Sequence, residues 1–321
     1  MTTTSVRTPA APARQPGVGT HKLHKKPKND LRVALAFVAP ATFGFAVFYL
    51  WPALRGIYFS FTEYSIMTAP TWVGLENFRK IVDDATFWNA MKVTLEYVVI
   101  NIGVQTVVAL GIAVLMQRLT RSLWVRGILL TPYLVANVIV ALVWFWMLDY
   151  NIGIVNTFLE WVGNVAPWSG IGRTPFFGDE AWAIPTIALV NTWRHAGYTA
   201  LLIFAGLQTI PAHLYEAAAI DGAGEVRSFF KITLPLLRPV MAMVLVITIT
   251  GSFQVFDTVA VTTGGGPVIA TKVIQFYIWE EAFTKARFGY ASALSVVLLV
   301  ILAVLALFQL KLMRADKSDL A

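Results

Sequence analysis

The sequence contains no cysteine and little charge: of 321 residues, 13% are Asp, Glu, Lys or Arg and 57% are hydrophobic. The missing cysteines exclude disulfides, thiolate metal ligands and cysteine nucleophiles, and leave the redox compartment open. The missing charge excludes a solvated surface of ordinary extent, since soluble domains carry about 25% charged residues. No G-x-x-x-x-G-K-[ST] phosphate loop occurs, and no H-E-x-x-H pair; His195 and His213 stand apart without metal-ligand spacing. A mean hydropathy of +0.66 points to the solvent that does fit, a lipid bilayer.

Lys and Arg outnumber Asp and Glu by 25 to 18, but Arg7, Arg14, Lys22, Lys25, Lys26, Lys28 and Arg32 all lie at the N-terminus. The body is therefore close to neutral. A basic tail beside a membrane span sets orientation, and nucleic acid is excluded as a partner. Residues 1–30, rich in Thr, Ala, Pro and Lys with almost nothing to bury, read as a disordered tail.

Six apolar stretches follow: Val33–Leu50, Val93–Met116, Gly127–Leu148, Ala183–Leu207, Val240–Phe256 and Ala291–Leu310. Each falls in the range of about 17–25 residues that a transmembrane helix uses, and the first is just long enough for about 30 Å of hydrocarbon at about 1.5 Å per residue. The first is too long for the core of a secretory signal peptide and reads as an uncleaved anchor. The expected fold is an all-α integral membrane protein of six transmembrane helices. Its permease domain spans 31–313, and a short tail, 314–321, follows.

Basic residues in the short connections give the orientation. Arg118, Arg121 and Arg126 follow span two, Arg227, Lys231 and Arg238 lie between spans four and five, and Lys311, Arg314 and Lys317 close the chain. The long 149–182 connection holds only Arg173, while 52–92 and 257–289 mix cations with acids. The majority places both termini and the 208–235 segment in the cytoplasm of a multi-pass plasma-membrane protein.

That segment contains EAAAIDGAGEVRSFFKITLPLL, Glu216 to Leu237. Glu216-Ala217-Ala218-Ala219 has high helix propensity behind Pro211, a residue suited to a first turn. Asp221-Gly222 interrupts the helix, because glycine takes the left-handed conformation that closes one. Glu225 to Lys231 forms a second short turn with Val226, Phe229 and Phe230 on an apolar side. The product is a helix–glycine–helix elbow with a bare alanine face, able to admit another backbone closely. An amphipathic connector resting at the lipid interface fits the same composition.

The spacing of Glu216-Ala217-Ala218, Gly222, Ile232 and Leu234-Pro235 resembles the EAA loop of ABC importer permeases, with every motif position matched. Gly74-Leu75-Glu76-Asn77-Phe78 is similar to the family's outer segment, and Ala205-Gly206-Leu207-Gln208-Thr209-Ile210-Pro211 to the lead into its loop. Phe253-Gln254-Val255-Phe256-Asp257, Thr263-Gly264-Gly265-Gly266-Pro267, Ala282-Phe283 and Gly289-Tyr290 resemble the carbohydrate-uptake branch. The resemblance implies a coupling helix seated in a cytoplasmic ATPase, with Glu216 as its polar anchor and Gly222 with Asp221 as the elbow. Ala217, Ala218 and Ala223 would allow the close fit, and Ile232, Leu234 and Pro235 would lead into the next span. It also implies two ATPase subunits that bind ATP and Mg, a second homologous permease and an extracytoplasmic solute-binding protein. This chain itself would hold no cofactor and no metal.

Polar residues inside the spans are the candidates for the solute path. Asn191, Trp193, Arg194 and His195 interrupt span four, and intramembrane charges face a cavity or a partner rather than lipid. Asn101 and Gln105 share one face of span two. Phe253, Gln254, Phe256 and Asp257 combine amide, carboxylate and aromatic faces of the kind that hold sugars. Arg194 also has the option of snorkelling or pairing with a partner subunit, and His195 that of a satisfied interior histidine. Trp144, Trp146, Trp161 and Trp168 suit the membrane interface. Thr263 to Pro267 reads either as a turn that a binding protein approaches or as a plain flexible connection. The alternative of an ion-coupled secondary transporter would want mid-span carboxylates. Glu96 and Asp257 fall instead near span ends.

Overall fold

The computed structural model describes residues 30–119 and 122–314. The expected basic tail before Asp30, and the C-terminal tail beyond Arg314, lie outside the described residues. The chain packs as two units, Met1–Ala53 and Leu54–Ala321.

In the first unit, α1 (Asp30–Phe45) runs through a π-helical turn, Ala46–Leu50, into the start of α2 (Trp51–Ser60). Phe37, Phe43, Phe48 and Tyr49 are all exposed on it. A helix apolar all round and uncovered is a lipid-facing element.

The second unit continues with β1 (Thr62–Ser65), β2 (Thr68–Trp72), α3 (Glu76–Val82) and the long α4 (Ala85–Leu119). Then come α5 (Leu123–Leu134), α6 (Asn137–Met147), α7 (Ile154–Val165), α8 (Glu180–Leu207), α9 (Ala212–Ile220), α10 (Glu225–Ser228) and α11 (Leu234–Leu236). α12 (Arg238–Phe253), α13 (Asp257–Thr262), α14 (Ile274–Trp279) and α15 (Phe288–Arg314) complete it.

Among the described residues four helical stretches are long and apolar enough to cross a membrane: Ala34–Ser60, Ala85–Gln117, Arg238–Thr262 and Phe288–Gln309. A fifth exists if α5 and α6, bent by 90°, count as one broken span. The expected span 183–207 forms an unbroken helix, α8, without that apolarity. In its polar middle Asn191 and Thr192 are buried and Arg194 and His195 half-buried, so protein covers most of these groups, while Trp193 is exposed.

One feature, a short hairpin, is added to the all-α expectation. β1 and β2 pair antiparallel, Thr62 opposite Trp72 and Ser65 opposite Thr68, with a register shift between Glu63 and Ser65. The G-L-E-N-F segment explains why this hairpin holds. Gly74 takes φ +61°, and the buried Asn77 donates to the carbonyls of Ser60 and Thr62 at 3.0 and 2.9 Å. Phe78 packs on Phe61, which stacks on Trp72. The expected span 240–256 lies within the membrane-capable stretch Arg238–Thr262, in which α12 stops at Phe253 and α13 starts afresh at Asp257.

α4 shows why the bundle assembles. Ala90, Val93, Tyr97, Asn101, Gln105, Ala109, Ala113 and Met116 are buried at helical spacing along one face. Leu95, Val99 and Val107 point outward, as lipid-facing residues do. The early turns of α4 and α8 join α14 and α15 in one apolar cluster, through Val93, Ile187, Ile274 and Leu294. Their late turns form another with Leu237 and Val244, through Ala113, Ile203 and Leu207. Small residues permit the approach, because lipid supplies no hydrophobic drive to press helices together. A Cβ on Gly197 would fall on the Leu129 carbonyl of α5.

At the end of the bundle carrying the hairpin, Asp84 accepts from Tyr277 and Tyr290 hydroxyls at 2.5 and 2.6 Å and from the Thr86 and Phe87 amides. Burial raises its pKa, but these four hydrogen bonds outweigh that and hold the carboxyl below the usual carboxylate range. The Thr263–Pro267 turn is ordered rather than slack. Thr271, fully buried, donates to the Gly266 carbonyl at 2.6 Å, and Gly264 and Gly265 take φ +57° and +87°.

Gly197→Val is expected to force α5 from α8 and sharply reduce the yield of folded protein, whereas Gly103→Ala, with open space around it, leaves it unchanged. Size-exclusion profiles in detergent measure both. Because the folded pKa of Asp84 is depressed, its stabilisation is present above the ordinary carboxylate pKa and lost as pH falls through the lower folded value. Asp84→Asn is therefore expected to flatten the acid side of a melting-temperature profile against pH.

Candidate translocation site and coupling elbow

A polar layer crosses the bundle between the two apolar clusters. Asn101 donates to Gln105 Oε1 at 3.2 Å and to Ser252 Oγ at 2.9 Å, and its Oδ1 accepts from Thr192 at 3.4 Å. Gln105 donates onward to Thr199 at 2.9 Å, and Thr258 donates to Asn191 Oδ1 at 3.1 Å. These links join α4, α8, α12 and α13, and all six of Asn101, Gln105, Asn191, Thr192, Thr199 and Ser252 are buried.

Beside this layer opens a cleft of about 250 Å³, lined by Tyr97, Asn101 and Gln105 of α4, by Arg194, His195 and Thr199 of α8, and by Thr248 and Ser252 of α12. Tyr133 and Tyr198 stack in its wall, centroids 4.5 Å apart and 9° from parallel. Hydroxyls, amides and flat aromatic faces suit a polyhydroxylated solute.

Arg194 serves the fold as well as the cleft. The 90° break after Leu134 leaves carbonyls of α5 without helical partners. Arg194 donates from Nη2 to Tyr133 O at 3.2 Å and to Val135 O at 3.2 Å, and from Nε to Val135 O at 3.3 Å. On the other side of the break, Asn137 donates to Asp257 Oδ2 at 3.0 Å. The broken span is thus held by side chains from α8 and α13.

Of the expected solute-path residues, Arg194 lines the cleft and Asn191 sits behind it. Trp193 turns away, edge-on to Trp144 at 5.5 Å. Phe253 is buried in the apolar cluster, Gln254 is exposed, Phe256 stacks on Phe276 and meets Trp279 at a tilt, and Asp257 binds Asn137. The sequence reading passed over Tyr97, Tyr133, Tyr198, Thr199, Thr248 and Ser252. For Tyr97 a signal existed: it lies four residues before Asn101, on the stripe that continues to Gln105.

At the opposite end from the hairpin, the elbow takes the expected form with one difference: Pro211 stands at the N-cap of α9 with extended geometry. Gly222 has φ +73°. The Ala223 amide donates to Ala218 O at 2.8 Å and the Gly222 amide to Ala219 O at 3.1 Å. That pair is a Schellman closure, with Asp221 as C-cap. Glu216, Ala217 and Asp221 are exposed, and Ala218 and Ala223 are half-buried. Nothing lies within 4 Å of a Cβ built on Gly222, so a substitution there meets backbone strain and no clash. Tyr215 and Thr233 bond hydroxyl to hydroxyl at 2.9 Å, tying α9 to a π-helical segment, Phe229–Thr233. That segment precedes Pro235, whose missing N–H deprives the preceding turn of a bond. Ile232 and Leu234 are half-buried there, while Ile220 and Val226 stand exposed around the elbow.

Residues 105–314 match the binding-protein-dependent transport system inner membrane component family, and the chain belongs to it. Over 273 residues it is 34% identical to the sulfoquinovosyl glycerol transport system permease protein SmoG of Agrobacterium fabrum, covering 84% of this chain and 86% of that protein. It is 30% identical over 290 residues to the trehalose/maltose transport system permease protein MalF of Thermococcus litoralis, covering 89% and 95%. The fold matches a chain of a bacterial ABC transporter that imports the acidic polysaccharide alginate, with a TM-score of 0.77 at 24% identity, covering 89% of this chain and 96% of that one. The chain is thus a multi-pass permease subunit of an ABC importer.

Asn101→Leu strands Ser252, Gln105 and Thr192 in the polar layer and is expected to cost roughly 1–3 kcal/mol per buried group left unpaired. A lowered melting temperature in detergent checks this, and Val107→Leu on the lipid face serves as the control.

Proposed function

We propose that this subunit forms half of the translocation path for a sugar or sugar derivative, and that its elbow couples the path to a separate cytoplasmic ATPase. One observation carries the coupling role: the EAA-type spacing folds as a closed helix-cap elbow whose tip is exposed and whose base is pinned by Tyr215 and Thr233. A pinned rigid element transmits a rigid-body movement that a slack loop would absorb. Glu216 anchors the elbow to donor groups on the ATPase, which binds ATP and Mg. A second homologous permease supplies the other half of the path, and a solute-binding protein delivers the solute outside. The elbow end, rich in Arg227, Lys231 and Arg238, faces the cytoplasm, as do both termini.

The similarity to permeases for sulfoquinovosyl glycerol and for trehalose/maltose supports the carbohydrate class. So does the mixed hydroxyl, amide and aromatic lining of the cleft.

Because the chain has no cysteine, Ala218→Cys introduces a unique thiol. A short thiol–amine crosslinker in native membranes is expected to join it to an ATPase, in a yield that changes with ATP. Labelling by lipid-phase or aqueous reagents alone would make the elbow an interfacial connector. Gly222→Val places a β-branched residue at φ +73°, a strain of about 1–3 kcal/mol. It is expected to leave membrane insertion intact while ATP hydrolysis in the assembled complex loses its link to uptake. Normal uptake per ATP in that variant contradicts the coupling role.

A further inference from the structure

Resting on the transport reading, the charge of the solute follows from the surroundings of Arg194. This residue lies near the middle of the 28-residue α8. Its guanidinium has only neutral partners: the carbonyls of Tyr133 and Val135, and His195 Nε2 at 2.9 Å from Nη1. The histidine is neutral by its own geometry. Nδ1 lies 2.8 Å from Asn191 O, an acceptor only, so Nδ1 carries the proton and Nε2 accepts from the arginine.

Among the described residues no carboxylate pairs with Arg194. The acid on α13, Asp257, is engaged by Asn137. A full positive charge therefore stands half-buried at mid-helix without a counter-charge, a costly arrangement inside a bilayer. Four of the guanidinium's N–H contacts are made to the break and to His195, and the fifth N–H, on Nη1, is left for the cleft. Tyr133 lies under the guanidinium at 5.3 Å and carries Tyr198 stacked on it.

We propose that the transported solute bears an oxyanion, a carboxylate, sulfonate or phosphate, which docks against Arg194 while the Tyr133–Tyr198 stack takes the face of a sugar ring. The second amide N–H of Gln105 and the hydroxyl of Ser252, neither spent within the polar layer, then hold ring hydroxyls across the cleft. Arg194 acts both as clamp of the broken span and as the charge that selects the solute.

The test uses the assembled importer, this chain with its second permease and ATPase, in phosphatidylcholine nanodiscs without binding protein. Equilibrium binding of radiolabelled glucose, glucuronate and glycerol 3-phosphate is measured. The two anions are expected to bind roughly tenfold or more tighter than glucose, as charge-assisted hydrogen bonds exceed neutral ones. Arg194→Gln is expected to abolish that preference, and Arg194→Lys, which keeps the charge and loses the fork, to retain part of it. Should the glutamine variant fail to assemble, the wild-type comparison and the lysine variant decide. No difference among the three probes in the wild type overturns the proposal, as it would if a carboxylate of the second permease already neutralised Arg194. Persistence of the preference in the glutamine variant, or its loss when phosphatidylglycerol replaces phosphatidylcholine, overturns it too. Co-purification of the ATPase with the wild-type chain is read in parallel: its absence defeats the importer reading, whereas its presence with equal binding of all three probes defeats the anion subsite alone.

Discussion

The hydrogen-bonded layer centred on Asn101 is the constraint on which the bundle depends. Inside a bilayer no water satisfies a stray amide, so each polar side chain must find a protein partner. Apolar clusters above and below the layer pack well but specify little, since Leu and Ile lose almost nothing by facing lipid instead. Asn101 links α4 to Thr192 of α8 and Ser252 of α12. Through Gln105 it reaches Thr199, two turns further along α8. A shift of α4 or α8 by a turn breaks several of these bonds at once. The layer thereby sets the register that the apolar surfaces leave loose.

The same reasoning explains why α8 is the least lipid-like of the long helices. A broken span exposes backbone carbonyls at membrane depth, and irregular backbone survives there only where protein or a cavity covers it. Arg194 covers the break after α5, and Asp257 with Asn137 covers the start of α6. Charge in α8 is therefore part of what permits the bend, and the bend places Tyr133 in the cleft wall.

Periodicity made much of this legible. The buried stripe of α4 and the elbow around Gly222 follow from residue spacing alone. The hairpin did not, because Thr62–Ser65 and Thr68–Trp72 are short, carry Pro70, and depend on Asn77 some fifteen residues away. The break at Val135 was also hidden: Pro132 sits inside α5, and the residue that stabilises the bend lies 59 positions further on. Phe253 to Asp257 resembled a sugar-binding set by composition. The restart of the helix at Asp257 turns those side chains to the core, to solvent, to Phe276 and to Asn137. Long-range contacts decide such cases, and no local pattern carries them.

Elbow and cleft are also mechanically joined. Tyr215 fastens α9 to Thr233, and from there the π-helical segment, α11 and α12 run nearly without interruption to Phe253. α12 presents Val244, Thr248 and Ser252 to the cleft. A displacement applied at Gly222 therefore reaches the cleft-lining residues through helix and not through loop. Pro235 and Pro239, which cannot donate to the preceding turns, are the compliant points of that lever. Leu237 between them is fully buried against α8, and its amide and carbonyl are both bonded, so the bend is confined and not free. In the coupling role proposed for it, rotation of the elbow moves α12 against α4 and α8, across the polar layer. The Asn101–Ser252 bond joins α4 directly to α12, so the layer that sets the register also lies in the path of any such movement.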